Sequence, residues 1–139
     1  MATSGTLRLT IIEAELTRDT EMFGAMDPYV QICQRMQMFR TKTQDDAGKT
    51  PKWNETFDLD VKYVGDELFI KVKDENVTDS DDIGEAIVKL SAFCVQGGID
   101  DWWQISYGGR KAGSLHLKGE WFPKGSDPIA ASAAQAPGL

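Results

Sequence analysis

Residues 57–62 read Phe57-Asp58-Leu59-Asp60-Val61-Lys62, and that strict alternation constrains the chain more than any other feature. Successive side chains of a strand point to opposite faces, so a period of two buries one face and wets the other. The pattern recurs. Leu7, Leu9 and Ile11 alternate with Arg8 and Thr10, and Leu68, Ile70 and Val72 are spaced by Phe69, Lys71 and Lys73. Strands are expected at residues 6–11, 28–33, 38–43, 53–61, 67–73, 84–90, 102–107 and 114–121. Pro28 opens its run, where a missing N–H is tolerated. No segment carries the 3.6-residue period of an amphipathic helix. Eight short strands at regular spacing predict an all-β fold, an eight-stranded antiparallel β-sandwich.

A chain of 139 residues is expected to form one domain. The expected division is an extension at 1–4, a domain at 5–122 and an Ala/Pro-rich tail at 123–139 that composition marks as disordered. The hydrophobic fraction of 41% suits a globular chain. No apolar run approaches ~18 residues, and the N-terminus lacks the marks of a signal peptide. A cytoplasmic location is therefore expected, with Cys33 and Cys94 as free thiols. A net charge of -7 disfavours nucleic acid as a partner. With one histidine, no nucleophile–base pair and no phosphate-cradling glycine loop, no enzyme is expected. His116, between Leu115 and Leu117, reads as an exposed strand position.

Residues 74–82 hold five acidic side chains in nine positions. Carboxylates crowded in this way repel, and a cation among them relieves that cost. If successive strands alternate in direction, the connections sort by parity. Residues 16–27, 44–52, 74–82 and 108–113 then share one end of the sandwich. Glu21 and Asp27 join the acidic stretch there, with Lys49, Lys52, Arg110 and Lys111 at the rim. A hard dication such as Ca2+ takes about six to eight oxygen ligands. Asp74 and Asn76, two apart, point the same way in an extended segment. The oxygen-rich set disfavours zinc and copper. An EF-hand loop starting at Asp79 fails, because Ile83 and Leu90 fall where oxygen ligands belong.

Three motifs now carry a resemblance. Asp27-Pro28-Tyr29-Val30 follows a glycine-containing loop. Pro51-Lys52-Trp53-Asn54-Glu55-Thr56-Phe57 comes next, and then Asp74-x-Asn76 with Asp81-Asp82-Ile83-Gly84. In this order and spacing they resemble the signatures of C2 domains, over residues 5–122. A first strand running straight into the first acidic loop, and a last strand at 114–121, resemble the type II topology. Small single-domain C2 proteins of plants and protists are similar.

The resemblance implies Ca2+ held between the loops and Ca2+-dependent, peripheral attachment to an anionic phospholipid membrane. Carried over by position, the ligands are Glu21 and Asp27 from the first loop, and Asp74, Asn76 and either Asp81 or Asp82 from the third. Glu21 and Asn76 stand where Asp is usual, which implies weaker affinity or a single ion. The alternative is a degenerate site in a Ca2+-independent protein-interaction or scaffold module with a protein partner. Met22 and Phe23, with Met26 nearby, are expected to insert among acyl chains, each worth roughly 1.5–3 kcal/mol. Lys49, Lys52, Arg110 and Lys111 would add about 1 kcal/mol each near an anionic surface. Lys42, Lys71 and Lys73 are expected to form a second basic patch.

Overall fold

The alternation is realised as eight strands in the computed structural model, which describes residues 3–124. They are β1 (Gly5–Leu16), β2 (Pro28–Gln34), β3 (Gln37–Arg40), β4 (Lys52–Val61), β5 (Glu67–Glu75), β6 (Ser80–Lys89), β7 (Ile99–Tyr107) and β8 (Arg110–Pro123). Of the expected tail, all but Pro123 and Lys124 lies outside the described residues. The strands run in the order β3-β2-β5-β6-β7-β8-β1-β4. Between β6 and β7 the pairing shrinks to a single pair, Glu85 with Ser106. Two sheets of four therefore face each other as a sandwich, in the type II order that was expected. Leu7, Leu9 and Ile11 of β1 meet Leu68, Ile70 and Val72 of β5 and Leu115 and Leu117 of β8 between the sheets. Phe93, after a short 3-10 turn at Leu90–Ala92, fills the core beside Trp103.

Several strands outrun their expected ends. β1 continues to Leu16 because a bulge between Ile11 and Glu13 breaks the alternation without ending the pairing. Asp74 and Glu75 finish β5, while Ser80, Asp81 and Asp82 begin β6. The acidic stretch is thus mostly strand, with a turn only at residues 76–79. Arg110 and Lys111 belong to β8, leaving Gly108-Gly109 as the turn. Their φ angles of 57° and 79° are the left-handed pair that a type I′ hairpin turn requires.

The parity argument holds. Leu16 N–H donates to the Lys49 carbonyl (2.8 Å) and Thr17 N–H to that of Ala112 (2.8 Å). Gly48 N–H reaches the Met26 carbonyl and Glu75 N–H the Asp27 carbonyl, each at 3.0 Å. These bonds stitch the four odd-numbered connections into one end of the sandwich.

His116 departs from the expectation of an exposed position. β8 lies between β1 and β7, so His116 sits in register with Glu13 on one side and Trp102 on the other. Its Nδ1 lies 2.9 Å from Glu13 Oε2, its Nε2 2.5 Å from Asp100 Oδ1, and its ring stacks on Trp102. The hydrogen bond to Glu13 is the largest cause of a pKa raised above the usual imidazole value; burial, next in size, opposes it, and the hydrogen bond to Asp100 and the charge of both carboxylates add to the rise.

Candidate metal centre

Asp74, the penultimate residue of β5, is fully buried. A carboxylate is tolerated there only if its oxygens find donors. Its Oδ1 accepts the Asp27 N–H (2.8 Å) and its Oδ2 accepts the Thr20 hydroxyl (2.7 Å). Both donors come from the β1–β2 loop, so this side chain ties that loop to the end of β5.

Register then chooses between Asp81 and Asp82. Val72 pairs with Gly84, but Lys73 pairs with Asp82 and Asp74 with Asp81. The extra residue is Ile83, a bulge on β6. Were Ile83 paired with Lys73 without the bulge, Asp82 would stand opposite Asp74. With it Asp81 takes that place, and Asp82 turns to Lys73, 3.4 Å away. Glu21 completes the group from the β1–β2 loop. One oxygen from each of Glu21, Asp74 and Asp81 lies within 4.8 Å of the others. Glu21 shows the cost of that crowding. Its pKa is pushed up to about 7, first by its hydrogen bond to Asp74, then by the charge of Asp74, with lesser effects of burial, Asp27 and Asp81.

The donor set fits a hard dication. With Ca–O distances of about 2.3–2.6 Å, two oxygens on one ion stand no more than roughly 5 Å apart. The three carboxylates already meet that limit. A bound cation would also favour the ionised form of Glu21 that crowding disfavours.

The remaining expected ligands are arranged differently. Asp27 is close enough to raise Glu21 but lies outside the three-carboxylate group, and its Oδ1 accepts the Asp46 N–H (2.7 Å). Asn76 acts as a donor, its Nδ2 reaching Asp81 Oδ2 (3.0 Å) and Asp79 Oδ1 (3.3 Å). It orients Asp81. Thr20, Asp46 and Arg18 were not anticipated. Arg18 donates from Nε to the Asp82 carbonyl (3.3 Å), with its guanidinium carbon 3.7 Å from the Tyr107 ring centre. No motif marks these three, because their parts depend on which strands lie opposite.

Around this centre the loop tip projects. Met22 is 87% exposed and Phe23 85%. Met26, expected beside them at the membrane, is instead fully buried in the core. It immediately precedes Asp27 and β2; its carbonyl holds Gly48 and its sulfur lies 3.5 Å from the Thr20 N–H. Lys49, Lys52, Arg110 and Lys111 are exposed, and none has an ion-pair partner among the described residues. The expected second patch is different. Lys71 faces Glu85 at 4.0 Å and Lys73 faces Asp82, so their charge is offset across β5 and β6. Lys42 is exposed just beyond β3. No helix among the described residues is long and apolar enough to cross a membrane.

Comparison with known proteins agrees with this architecture. The family model of the C2 domain matches residues 5–105. The 16 kDa phloem protein 2 of Arabidopsis thaliana is 38% identical over 96 residues, covering 68% of this chain and 65% of that protein. The chain thus matches just under two thirds of that relative's length. Elicitor-responsive protein 3 of Oryza sativa subsp. japonica is 35% identical over 96 residues, covering 68% of this chain and 67% of the relative. Among solved structures, the calcium-bound C2A and C2B domains of Extended-Synaptotagmin 2 superpose with a TM-score of 0.76 at 28% identity, covering 87% of this chain and 46% of that one. This chain belongs to the C2 domain family.

Proposed function

We propose that this C2 domain takes up Ca2+ between Glu21, Asp74 and Asp81 and, so loaded, docks end-on against anionic phospholipid as a peripheral membrane module. One observation carries the reading: three carboxylates from two separate connections converge within 4.8 Å, a crowding that, chiefly through Asp74, pushes the pKa of Glu21 up to about 7. The bound ion would supply positive charge and open coordination positions for lipid phosphate. The chain's own residues do the rest. Thr20 and the Asp27 N–H hold Asp74 in place, and Asn76 aims Asp81. Met22 and Phe23 provide apolar area at the tip. The rim cations, without ion-pair partners among the described residues, lie at the same end, whereas Lys71 and Lys73 face carboxylates, which favours end-on docking over docking on the sheet face.

The experiment is co-sedimentation with phosphatidylserine-containing liposomes, with Ca2+ and with EGTA, beside calorimetric titration of Ca2+. Attachment and heat of binding should both appear in the wild type, and both should be lost in Asp74→Asn. Equal attachment in Ca2+ and EGTA would refute the Ca2+ switch.

A further inference from the structure

The two sheets part company at one residue pair. β6 and β7 meet only through Glu85 and Ser106, and at that point Ala112 of β8 bulges between the pairs Ile105–Gly113 and Ser106–Lys111. A cleft of about 700 Å3 opens there, with Ala86, Ile87 and Val88 on one wall and Trp103 and Gln104 on the other.

The phase of the hydrogen bonds decides what that wall offers. Leu90 N–H donates to the Asp66 carbonyl (2.9 Å). Antiparallel pairs alternate between those that exchange backbone bonds and those that do not. Counting back in register from Leu90, the pairs Leu68–Val88 and Ile70–Ala86 exchange bonds with β5. Phe69–Ile87 and Lys71–Glu85 do not, so the backbone groups of Ile87 and Glu85 point away from β5, toward β7. Glu85 meets Ser106 there. Ile87 forms no residue pair with β7. An edge of this kind is satisfied by an extended backbone laid beside it.

The side chains specify what kind of backbone. On the outer face Met38 stands opposite Cys33, Cys33 opposite Phe69, and Phe69 opposite Ile87. They form one apolar row across the whole sheet, ending at the open edge; Phe69 is 45% exposed and Ile87 56%. Two positions along β6, Lys89 projects on the same face, its side chain 62% exposed and loosely held at 4.0 Å from Glu67 and 3.2 Å from the Gly65 carbonyl. An added strand prolongs both rows, and cross-strand neighbours of matching polarity and opposite charge stabilise the pairing.

We propose that the free edge of β6 receives an extended segment of a partner protein as a ninth strand, with an apolar side chain beside Ile87 and a carboxylate two positions away beside Lys89. Ile87 lies toward the end of β6 away from Asp81, so this docking is independent of Ca2+.

The test uses the full chain, 15N-labelled and in EGTA, titrated with ten-residue acetylated peptides of alternating Thr and Val. One series carries Glu two positions from the central Val, a second Lys, a third Gln. The Glu series should slow amide exchange at Ile87 and shift resonances around residues 85–89 and 103–104. It should bind about fivefold tighter than the Lys series, and Lys89→Glu should reverse that order while Ile87→Asp removes binding without unfolding the domain. Three results would overturn the proposal. No series protects Ile87; or Ile87 protection without peptide rises with protein concentration, which assigns the edge to a second copy; or truncation after Lys124 exposes an edge that was closed, which assigns it to the chain's own C-terminal segment.

Discussion

Glu21→Gln should abolish the pH dependence of Ca2+ affinity. In the metal-free protein the Glu21 carboxyl is pushed up to about 7, with Asp74 as the largest cause. Coordination requires that proton to leave. At pH 6 about one tenth of such a group is ionised and at pH 8 about nine tenths, so apparent affinity should rise about tenfold between them. Gln carries no proton to lose, and its affinity should be weaker at pH 8 and nearly flat across the range. Stability gives the same group a second readout. A carboxyl whose folded pKa lies above its ordinary 4.5 contributes stability that is full below about 4.5 and is lost as pH rises through about 7. Without metal, the wild type should therefore lose melting temperature relative to Glu21→Gln across that window; saturating Ca2+ should reverse the trend. Calorimetric titration at pH 6, 7 and 8, with thermal melts in EGTA, measures both. A wild-type affinity that is flat with pH, or a Gln variant that keeps the tenfold change, would refute the assignment of that proton to Glu21.

Phe23→Asp should weaken Ca2+-dependent liposome binding by roughly tenfold or more, from the loss of about 1.5–3 kcal/mol of apolar insertion, while leaving Ca2+ affinity unchanged in the absence of lipid. His116→Gln should cost melting temperature at pH 6 and little at pH 9. The raised imidazole pKa contributes stability fully below about 6.5, which is lost as pH rises through the higher folded value, and the stacked Trp102 should report the same titration by fluorescence. Gly84→Ala places a methyl carbon 2.9 Å from the Ala112 Cβ and 3.1 Å from Ile105 Cδ1; overpacking of this kind costs about 1–3 kcal/mol, and an unchanged denaturation midpoint would contradict it.

Alternation made β1, β4 and β5 legible, because a sandwich buries one face of such strands and writes that into residue type; β3, with no buried residue, and β7, with one, show little of it. Parity then placed Glu21 beside Asp74, since direction reverses at every antiparallel connection whatever the loops contain. What stayed hidden depends on contacts across strands. Met26 and Met22 are the same residue type four positions apart; only the path of the loop sends one into the core and the other into solvent. His116 has the expected spacing, yet its two carboxylates come from other strands, Glu13 from the far end of the chain and Asp100 from across the β7–β8 hairpin, so nothing beside it in sequence marks them. Lys71 and Lys73 read as a basic patch until β6 is laid alongside with Glu85 and Asp82 in register. The acidic stretch read as loop because composition records charge, and charge is as compatible with a wet strand edge as with a turn.

Ile83 gives the acidic end a property that side-chain chemistry alone does not supply: the carboxylate facing Asp74 is selected by register. Asp81 and Asp82 are chemically equivalent neighbours, and whether Ile83 bulges or pairs decides which of them stands opposite Asp74. Drawing Ile83 into register opposite Lys73 would exchange their places, setting Asp82 opposite Asp74 and turning its neighbour to the outer face, without altering a single carboxylate. Lineages sharing this framework could retune this acidic group by gaining or losing the bulge, a change that an inventory of acidic residues would not register.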